Sequence, residues 1–179
     1  MLWTCSANAA APQRVTHIRR RCENRPVLEL RQADPATPPG SDLLAAMVAE
    51  MDELYEIGAL EGAPASPADM SPPGGAFVVL WEADEPVACG GLKRLDASTC
   101  EIKRMYVVPA ARSRGVARRL LAGLEDTARS LGYAVVRLDT GPRQPHARAL
   151  YESAGYRSIH DYNGNPAAAH WFEKSLVYR

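Results

Sequence analysis

The fold of this chain is decided by residues 100–131, which have the sequence CEIKRMYVVPAARSRGVARRLLAGLEDTARSL. Ile102 to Val108 is rich in β-branched and aromatic residues and is followed by Pro109, as expected where a strand leaves a sheet. From Val116 onward apolar residues recur at helical spacing, with arginines and acidic residues between them. The stretch therefore predicts a strand, a tight basic turn and an amphipathic helix.

The turn between this strand and helix has the composition of an anion site. It runs Arg-Ser-Arg-Gly-Val-Ala over residues 112–117, so a glycine stands where the helix begins. The first N–H groups of a helix have no intrahelical partner, and the helix dipole makes that end positive. Gly115 permits close backbone approach and the arginines add positive charge, so a phosphate would be stabilised there. A plain turn before a helix is the competing interpretation. Neither the Walker nor the Rossmann glycine pattern is present.

Composition limits the class of protein. The chain has 179 residues, 46% of them hydrophobic, which suits one domain with an ordinary core. Its formal net charge of zero argues against a nucleic-acid partner, and no apolar run approaches the roughly 20 residues of a membrane span. The four cysteines form no Cys-x-x-C pair or Cys/His cluster. We therefore expect no metal, reduced thiols and a cytoplasmic location, with Cys89 and Cys100 buried in strands.

Hydrophobic patterning outlines the remaining elements. Residues 1–26 contain clustered arginines without an apolar core, which predicts a disordered or extended N-terminal segment rather than a secretory signal, with a transit peptide or basic arm as alternatives. Residues 27–179 are predicted to form the domain. Besides the stretch quoted above, the predicted strands are Val27–Arg31, Ala76–Trp81, Val87–Leu95, Ala134–Leu138, Arg157–Tyr162 and Ala169–Leu176, and the predicted helices are 43–55 and Gln144–Ala154.

Three local features refine this outline. Ser41 and Asp42 have N-cap chemistry for the first helix. Residues 58–75 are rich in Gly, Ala, Pro and Ser and too numerous for an ordinary connection, which indicates a mobile lid or a substrate loop. Gly90 and Gly91 inside a strand indicate a bulge or a close backbone approach.

A second motif lies in the last predicted helix. It reads Ala147-x-x-Leu150-Tyr151-x-x-x-Gly155-Tyr156. Taken alone, Tyr151 is a helix-packing aromatic. Together with Arg112, Gly115 and Ala117 after a strand, however, this pattern resembles the two coenzyme A motifs of the GCN5-related N-acetyltransferases (the GNAT superfamily). The resemblance covers about residues 27–179.

The resemblance implies a fold and an activity. The fold would be α/β (α+β), with a central mixed twisted sheet of about six to seven strands flanked by about four helices. The activity would be transfer of an acetyl group from acetyl-CoA to a primary amine by direct attack in a ternary complex. The acceptor site would be built from roughly residues 50–75 and 160–172, whose acidic bias fits a cationic amine. Family members are often homodimers.

The resemblance also implies residue roles. Tyr151 would protonate the departing thiolate, and the amides of the segment Met105, Tyr106 and Val107 would face the thioester and the pantetheine arm. Gln144, which replaces the family's Asn, would bind a pantetheine amide. The pyrophosphate would lie at the turn, on Arg112, Ser113, Arg114, Gly115, Val116, Ala117 and Arg118.

Two questions stay open at this stage. Glu101 matches the glutamate base of the family's histone-acetylating members, but it is equally well explained as a strand residue paired with Lys103 or Arg104. The whole chain has two rival interpretations. One is a non-catalytic GNAT-like domain that binds acyl-CoA as a regulator. The other is an α/β protein of another class that binds a phosphate or nucleotide through the 112–117 turn alone.

Overall fold

The computed structural model describes residues 27–55 and 66–177. Its core is a seven-stranded mixed sheet in the order β1-β2-β3-β4-β5-β7-β6, where β4 and β5 are parallel and the other neighbours antiparallel. The elements are β1 Leu28–Gln32, α1 Gly40–Tyr55, β2 Ala76–Glu82, β3 Glu85–Arg94, β4 Thr99–Val107, α2 Val116–Ser130, β5 Val135–Thr140, α3 Pro145–Ser153, β6 Arg157–Ile159 and β7 His170–Ser175. Short 3₁₀ helices span Pro67–Met70 and Pro109–Ala111. The mixed α/β fold class is thereby confirmed, with three α-helices in the described residues rather than about four.

Each face of the sheet carries its own apolar core. α2 and α3 pack on one face, where the helical stripe of α2 is fully buried at Leu120, Leu121 and Leu124. α1 packs on the other face through Leu43 and Met47. The periodicity that predicts α2 therefore corresponds to the surface that it buries against the sheet.

The segment before β2 is partly anchored. Residues 56–65 lie outside the described residues, but the second half of the predicted loop forms the 3₁₀ helix Pro67–Met70. Ser66 and Asp69 close a capping box at its start, and Met70 is 1% exposed. Gly91 makes this anchoring feasible, because a Cβ there would lie 2.3 Å from the Met70 sulfur. Residues 66–75 are thus anchored to the sheet rather than forming a mobile lid, their role as a substrate loop stays a prediction, and residues 58–65 of the same predicted loop lie outside the described residues.

The bulge predicted near Gly90 is present, but the extra residue belongs to β4. Gly91 pairs with Lys103 and Cys89 with Tyr106, so Gly90 alone opposes two residues of β4. One of them, Arg104, has a φ of 57°, in the left-handed region that a side chain rarely adopts. A Cβ on Gly90 would lie 2.8 Å from a Leu124 methyl carbon, so the glycine is required by close packing.

Among the predicted boundaries that differ from the structure, two have a clear local cause. α1 begins at Gly40, so Ser41 and Asp42 lie in its first turn rather than at its cap. A side chain at Gly40 would collide with the Asp34 carbonyl, 2.3 Å away, and the glycine lets the helix start earlier. β6 ends at Ile159 because Tyr162 turns inward to bond Glu101. Among the described helices, none has the length and apolar character of a membrane span.

Candidate active site

The parallel strands β4 and β5 are paired only at their beginnings. Residues Thr99–Glu101 lie opposite Val135–Arg137, and the register ends there. β4 continues to Val107 and β5 to Thr140, so the strands separate toward their carboxyl ends. Backbone N–H and C=O groups facing the gap lack the partner that a parallel ladder supplies and are available to a ligand. The bulge at Arg104 lies on this separated half of β4.

Helix α2 begins beside this gap with an open N-terminus. Gly115 is its N-cap, with a φ of 83°, and no side chain caps the helix. A Cβ at Gly115 would have nothing within 4 Å, so the position is unobstructed. The first ladder bond there runs from the Arg119 N–H to the Gly115 carbonyl, which leaves the N–H groups of the first turn without an intrahelical partner. This end of α2 therefore offers clustered donors and a positive dipole to an anion.

The arginines of the turn are bound to carboxylates from other elements. Arg112 donates to the Val107 carbonyl at 2.9 Å and to Glu50 of α1 at 2.6 Å. Its guanidinium also lies 5.6 Å from the centre of the Tyr106 ring. Arg114 forms an ion pair with Glu82 at the end of β2. The sequence predicts both arginines as phosphate ligands, and here both charges are partly neutralised within the chain.

Arg118 extends from the first turn of α2 toward α3, where it donates to the Ser153 hydroxyl at 2.8 Å. Ser113, within the turn, has a φ of 60°. The residues 112–118 that the sequence predicts as one binding segment are thus contiguous around the open helix end. The side chains of Arg112, Arg114 and Arg118 extend to α1, β2 and α3, while the backbone of the segment surrounds the open start of α2.

Glu101 is buried, and one of its carboxylate oxygens is surrounded by donors. Its side chain is 1% exposed and lies 3.0 Å from the Lys103 ammonium. The same carboxylate oxygen accepts hydrogen bonds from the Tyr162 hydroxyl at 2.6 Å and from the Asn163 amide at 2.7 Å. The ion pair to Lys103 is the one expected if Glu101 is a structural strand residue.

A second carboxylate completes this network. Asp139 of β5 accepts from Lys103 at 2.7 Å, so the lysine bridges the two strands just beyond their last paired residues. Asn163 donates to Asp139 at 2.6 Å and accepts from the Trp171 indole N–H at 3.0 Å. Buried charges are stable only when paired and hydrogen-bonded, and this arrangement meets both conditions. The turn after β6 is thereby fastened over the point where the strands separate.

Tyr151 lies in α3 at the edge of the α2-side core. It is 6% exposed, and its ring centre is 5.9 Å from that of Tyr156 and 6.0 Å from that of Phe172. Burial, with a smaller contribution from the Asp139 carboxylate, raises the pKa of its phenol. The hydroxyl therefore stays protonated at neutral pH.

Gln144 stands at the N-cap of α3 and holds the preceding turn. Its side-chain oxygen accepts from the Thr140 hydroxyl at 2.8 Å and from the Gly141 N–H at 3.0 Å. Its amide nitrogen lies 3.2 Å from the Met51 sulfur of α1. Both contacts to the Gln144 oxygen come from this chain, whereas its amide nitrogen has a second N–H that could donate to a pantetheine carbonyl as predicted.

Apart from Lys103, sequence reasoning did not identify the residues of the network around Glu101. Asp139 continues a strand that reads as apolar, and Tyr162, Asn163 and Trp171 lie in what reads as a simple hairpin. The signal was present in the Asn163-Gly164-Asn165 run, because three turn residues are more than a two-residue hairpin needs. No group of three or more His, Cys, Asp or Glu suited to a metal occurs among residues 27–55 and 66–177.

Comparison with known proteins gives consistent matches. The model of the Acetyltransferase (GNAT) family matches residues 41–156. An uncharacterised N-acetyltransferase of Escherichia coli, YjgM, is 34% identical over 115 residues, which cover 63% of this chain and 61% of that protein. An uncharacterised N-acetyltransferase of Bacillus subtilis, YsnE, is 37% identical over 95 residues, 50% of this chain and 63% of the relative. The chain thus spans about three fifths of the length of these curated relatives.

Solved structures match over a larger share of the chain. A GNAT-family acetyltransferase of Staphylococcus aureus has a TM-score of 0.69 at 16% identity, covering 84% of this chain and all of the other. A GNAT-family acetyltransferase of Elizabethkingia anophelis with acetyl-CoA bound has a TM-score of 0.60 at 18% identity, covering 83% and 97%. At these identities the likeness concerns the fold.

Proposed function

This chain belongs to the GNAT family of acetyltransferases, and we propose that it transfers an acetyl group from acetyl-CoA to a primary amine of a small molecule, a peptide or a protein. Direct attack in a ternary complex is the proposed route. The observation that carries the proposal is the open N-terminus of α2 beside the gap between β4 and β5. A long phosphorylated thioester requires an anion site for its phosphates. It also requires a gap in which the backbone can hydrogen-bond to its amides.

The residues present fit the coenzyme. An unobstructed Gly115, with N–H groups of the first helical turn next to it, suits a pyrophosphate. The backbone of Met105 and the N–H of Val107 follow the bulge, where β4 no longer pairs with β5, and suit an amide-bearing arm, while the Val107 carbonyl accepts from Arg112. We propose these as the binding segments, with Arg112 and Arg118 beside them. Acetyl-CoA would supply an activated acetyl group as a thioester.

Tyr151 is the proposed acid. A departing thiolate must be neutralised, and the Tyr151 phenol, whose pKa is raised by burial, is protonated at neutral pH and so has a proton to donate. The hydroxyl lies on α3, which follows β5 across the gap from β4. The tilted ring contacts with Tyr156 and Phe172 hold the phenol in one position.

The acceptor amine must lose a proton before attack. An alkylamine has a pKa of about 10.4, so holding it neutral at pH 7 costs roughly 4.6 kcal/mol. Glu101, proposed from the sequence as the base, is 1% exposed, and its Oε1 atom already contacts Tyr162, Asn163 and Lys103. The geometry supports the ion-paired interpretation, in which Glu101 fixes the turn after β6. Glu101→Gln separates the two roles, because losing a base removes turnover of the folded enzyme, whereas losing a purely structural residue lowers the melting temperature and leaves turnover of the folded enzyme largely intact.

The first experiment is calorimetric titration of acetyl-CoA into the purified protein, with ATP as the control. The proposal expects micromolar binding of acetyl-CoA and none of ATP. Release of CoA thiol in the presence of a panel of amines then distinguishes the enzyme from a non-catalytic acyl-CoA-binding domain. If the protein binds ATP and does not bind acetyl-CoA, a nucleotide-binding protein of another class is favoured and the proposal is refuted.

A further inference from the structure

The most informative unassigned contact is the ion pair between Arg112 and Glu50. The two side chains come from different elements, the coenzyme turn and α1, and meet at 2.6 Å while staying 42% and 34% exposed. An arginine placed beside a proposed phosphate site is thus neutralised by a carboxylate of this chain. Glu50 occupies Nη2 of this guanidinium and the Val107 carbonyl occupies Nε, so a phosphate that takes Nη2 would displace the carboxylate.

Glu50 also lies close to the gap between β4 and β5. On one side of α1 it reaches Arg112 and influences Tyr106, whose pKa is raised by burial and by this carboxylate. On the neighbouring position of the same turn, Met51 contacts Gln144 beyond the end of β5. The last turns of α1 therefore reach both the turn after β4 and the segment after β5, on the face of the sheet opposite α2.

We propose that Glu50 is a coenzyme-released binding group for the acceptor. When phosphate takes Arg112, Glu50 loses its cation and becomes available to the ammonium group of a cationic acceptor. The acceptor class is therefore an amine with at least one positive charge that approaches along α1. This inference rests on the proposed function, because it requires a phosphorylated coenzyme at the 112–118 turn.

The same contact predicts how the two ligands influence each other. An exposed ion pair contributes little, so removing it changes coenzyme affinity about two- to five-fold rather than by orders of magnitude. Coenzyme and acceptor then bind cooperatively, and by linkage each strengthens the other to the same extent. Neither effect needs a movement of the backbone.

Two variants test the coupling. Glu50→Gln removes the competing charge, and Glu53→Gln makes the same charge change on an exposed residue one turn along α1. Titration of CoA at fixed ionic strength should give a dissociation constant about two- to five-fold lower in Glu50→Gln than in Glu53→Gln. Equal constants in the wild type and both variants would overturn the inference while leaving the proposed function intact. Absence of CoA binding to the wild type would instead refute the proposed function.

Spermidine serves as the cationic probe for the released carboxylate. We expect it to bind the wild type and Glu53→Gln at least three-fold more tightly with CoA present than without. In Glu50→Gln this gain should fall, and whatever remains measures attraction to the phosphates of CoA itself. An equal gain in all three proteins, or no gain in any, would show that Glu50 does not receive the cation.

Discussion

Replacing Gly115 by Asp tests the proposed phosphate site with a single charge. Gly115 caps α2 with a φ of 83°, and a Cβ there would touch nothing within 4 Å. A side chain is therefore disfavoured by the backbone conformation alone and not by a clash. Because Asp and Asn tolerate the left-handed region better than other residues, Gly115→Asn gives a neutral control of the same shape.

The effect on folding should be small and the effect on binding large. A side chain in the left-handed region lowers the free energy of unfolding by about 1 kcal/mol, and the helix dipole returns roughly 0.3–1 kcal/mol of this to Asp. An anion held by the first turn of α2 would lie about 5 Å from the new carboxylate, which costs about 0.8–1.7 kcal/mol per charge at an effective dielectric constant of about 40–80. For a doubly charged pyrophosphate, Gly115→Asp should weaken acetyl-CoA binding about 15- to 250-fold relative to Gly115→Asn.

Calorimetric titration of acetyl-CoA into both variants at two salt concentrations measures this difference. The gap between Asp and Asn should narrow as salt rises, because exposed charges are screened. Thermal unfolding followed by circular dichroism verifies that both variants are folded. Equal affinities for Asp and Asn would refute the argument, since a phosphate at this helix end cannot be indifferent to an adjacent negative charge.

Three further predictions concern buried groups. Tyr151→Phe keeps the ring contacts and should leave acetyl-CoA affinity within about two-fold, while the turnover measured as CoA release falls roughly 10²-fold or more if the phenol is the acid; unchanged turnover would remove that role. Lys103→Met removes the ammonium that pairs with both Glu101 and Asp139 and should lower the free energy of unfolding by roughly 3–5 kcal/mol in urea titration; a loss below about 1 kcal/mol would show that these ion pairs do not stabilise the fold. Burial raises the pKa of both Cys89 and Cys100 to about 12, so peptide mapping after iodoacetamide at pH 8 should find both unmodified until urea unfolds the protein; rapid labelling in the native state would contradict the buried placement.

Local sequence was sufficient for the scaffold of the site. The apolar stripe of α2 and the composition of β4 predict both elements and the turn between them, because each pattern is a property of neighbouring residues. The left-handed Gly115 and the helix ends at Gly132 and Gly155, both with a φ of 87°, follow from glycine at those positions.

Contacts between distant segments were beyond the reach of such patterns. Glu101 and Asn163 are 62 residues apart and share a hydrogen bond, and Arg112 and Glu50 are also 62 residues apart and form an ion pair. Sequence reasoning named Lys103 and Arg104 as partners of Glu101 because they are close in the chain, and it found the first of these. It could not find Asp139 or Tyr162, since register across β5 and the path of the turn after β6 decide both.

The β-bulge near Gly90 separates what local sequence can predict from what tertiary contacts decide. Two consecutive glycines in β3 indicated an irregular pair of strands, but the extra residue lies in β4 at Arg104, a residue with no intrinsic preference for a positive φ. Local patterns in the chain were sufficient for the order of elements, the faces they bury and the open start of α2. The carboxylates that neutralise the arginines and lysine around the site follow from strand register and from the docking of α1, which no local pattern encodes.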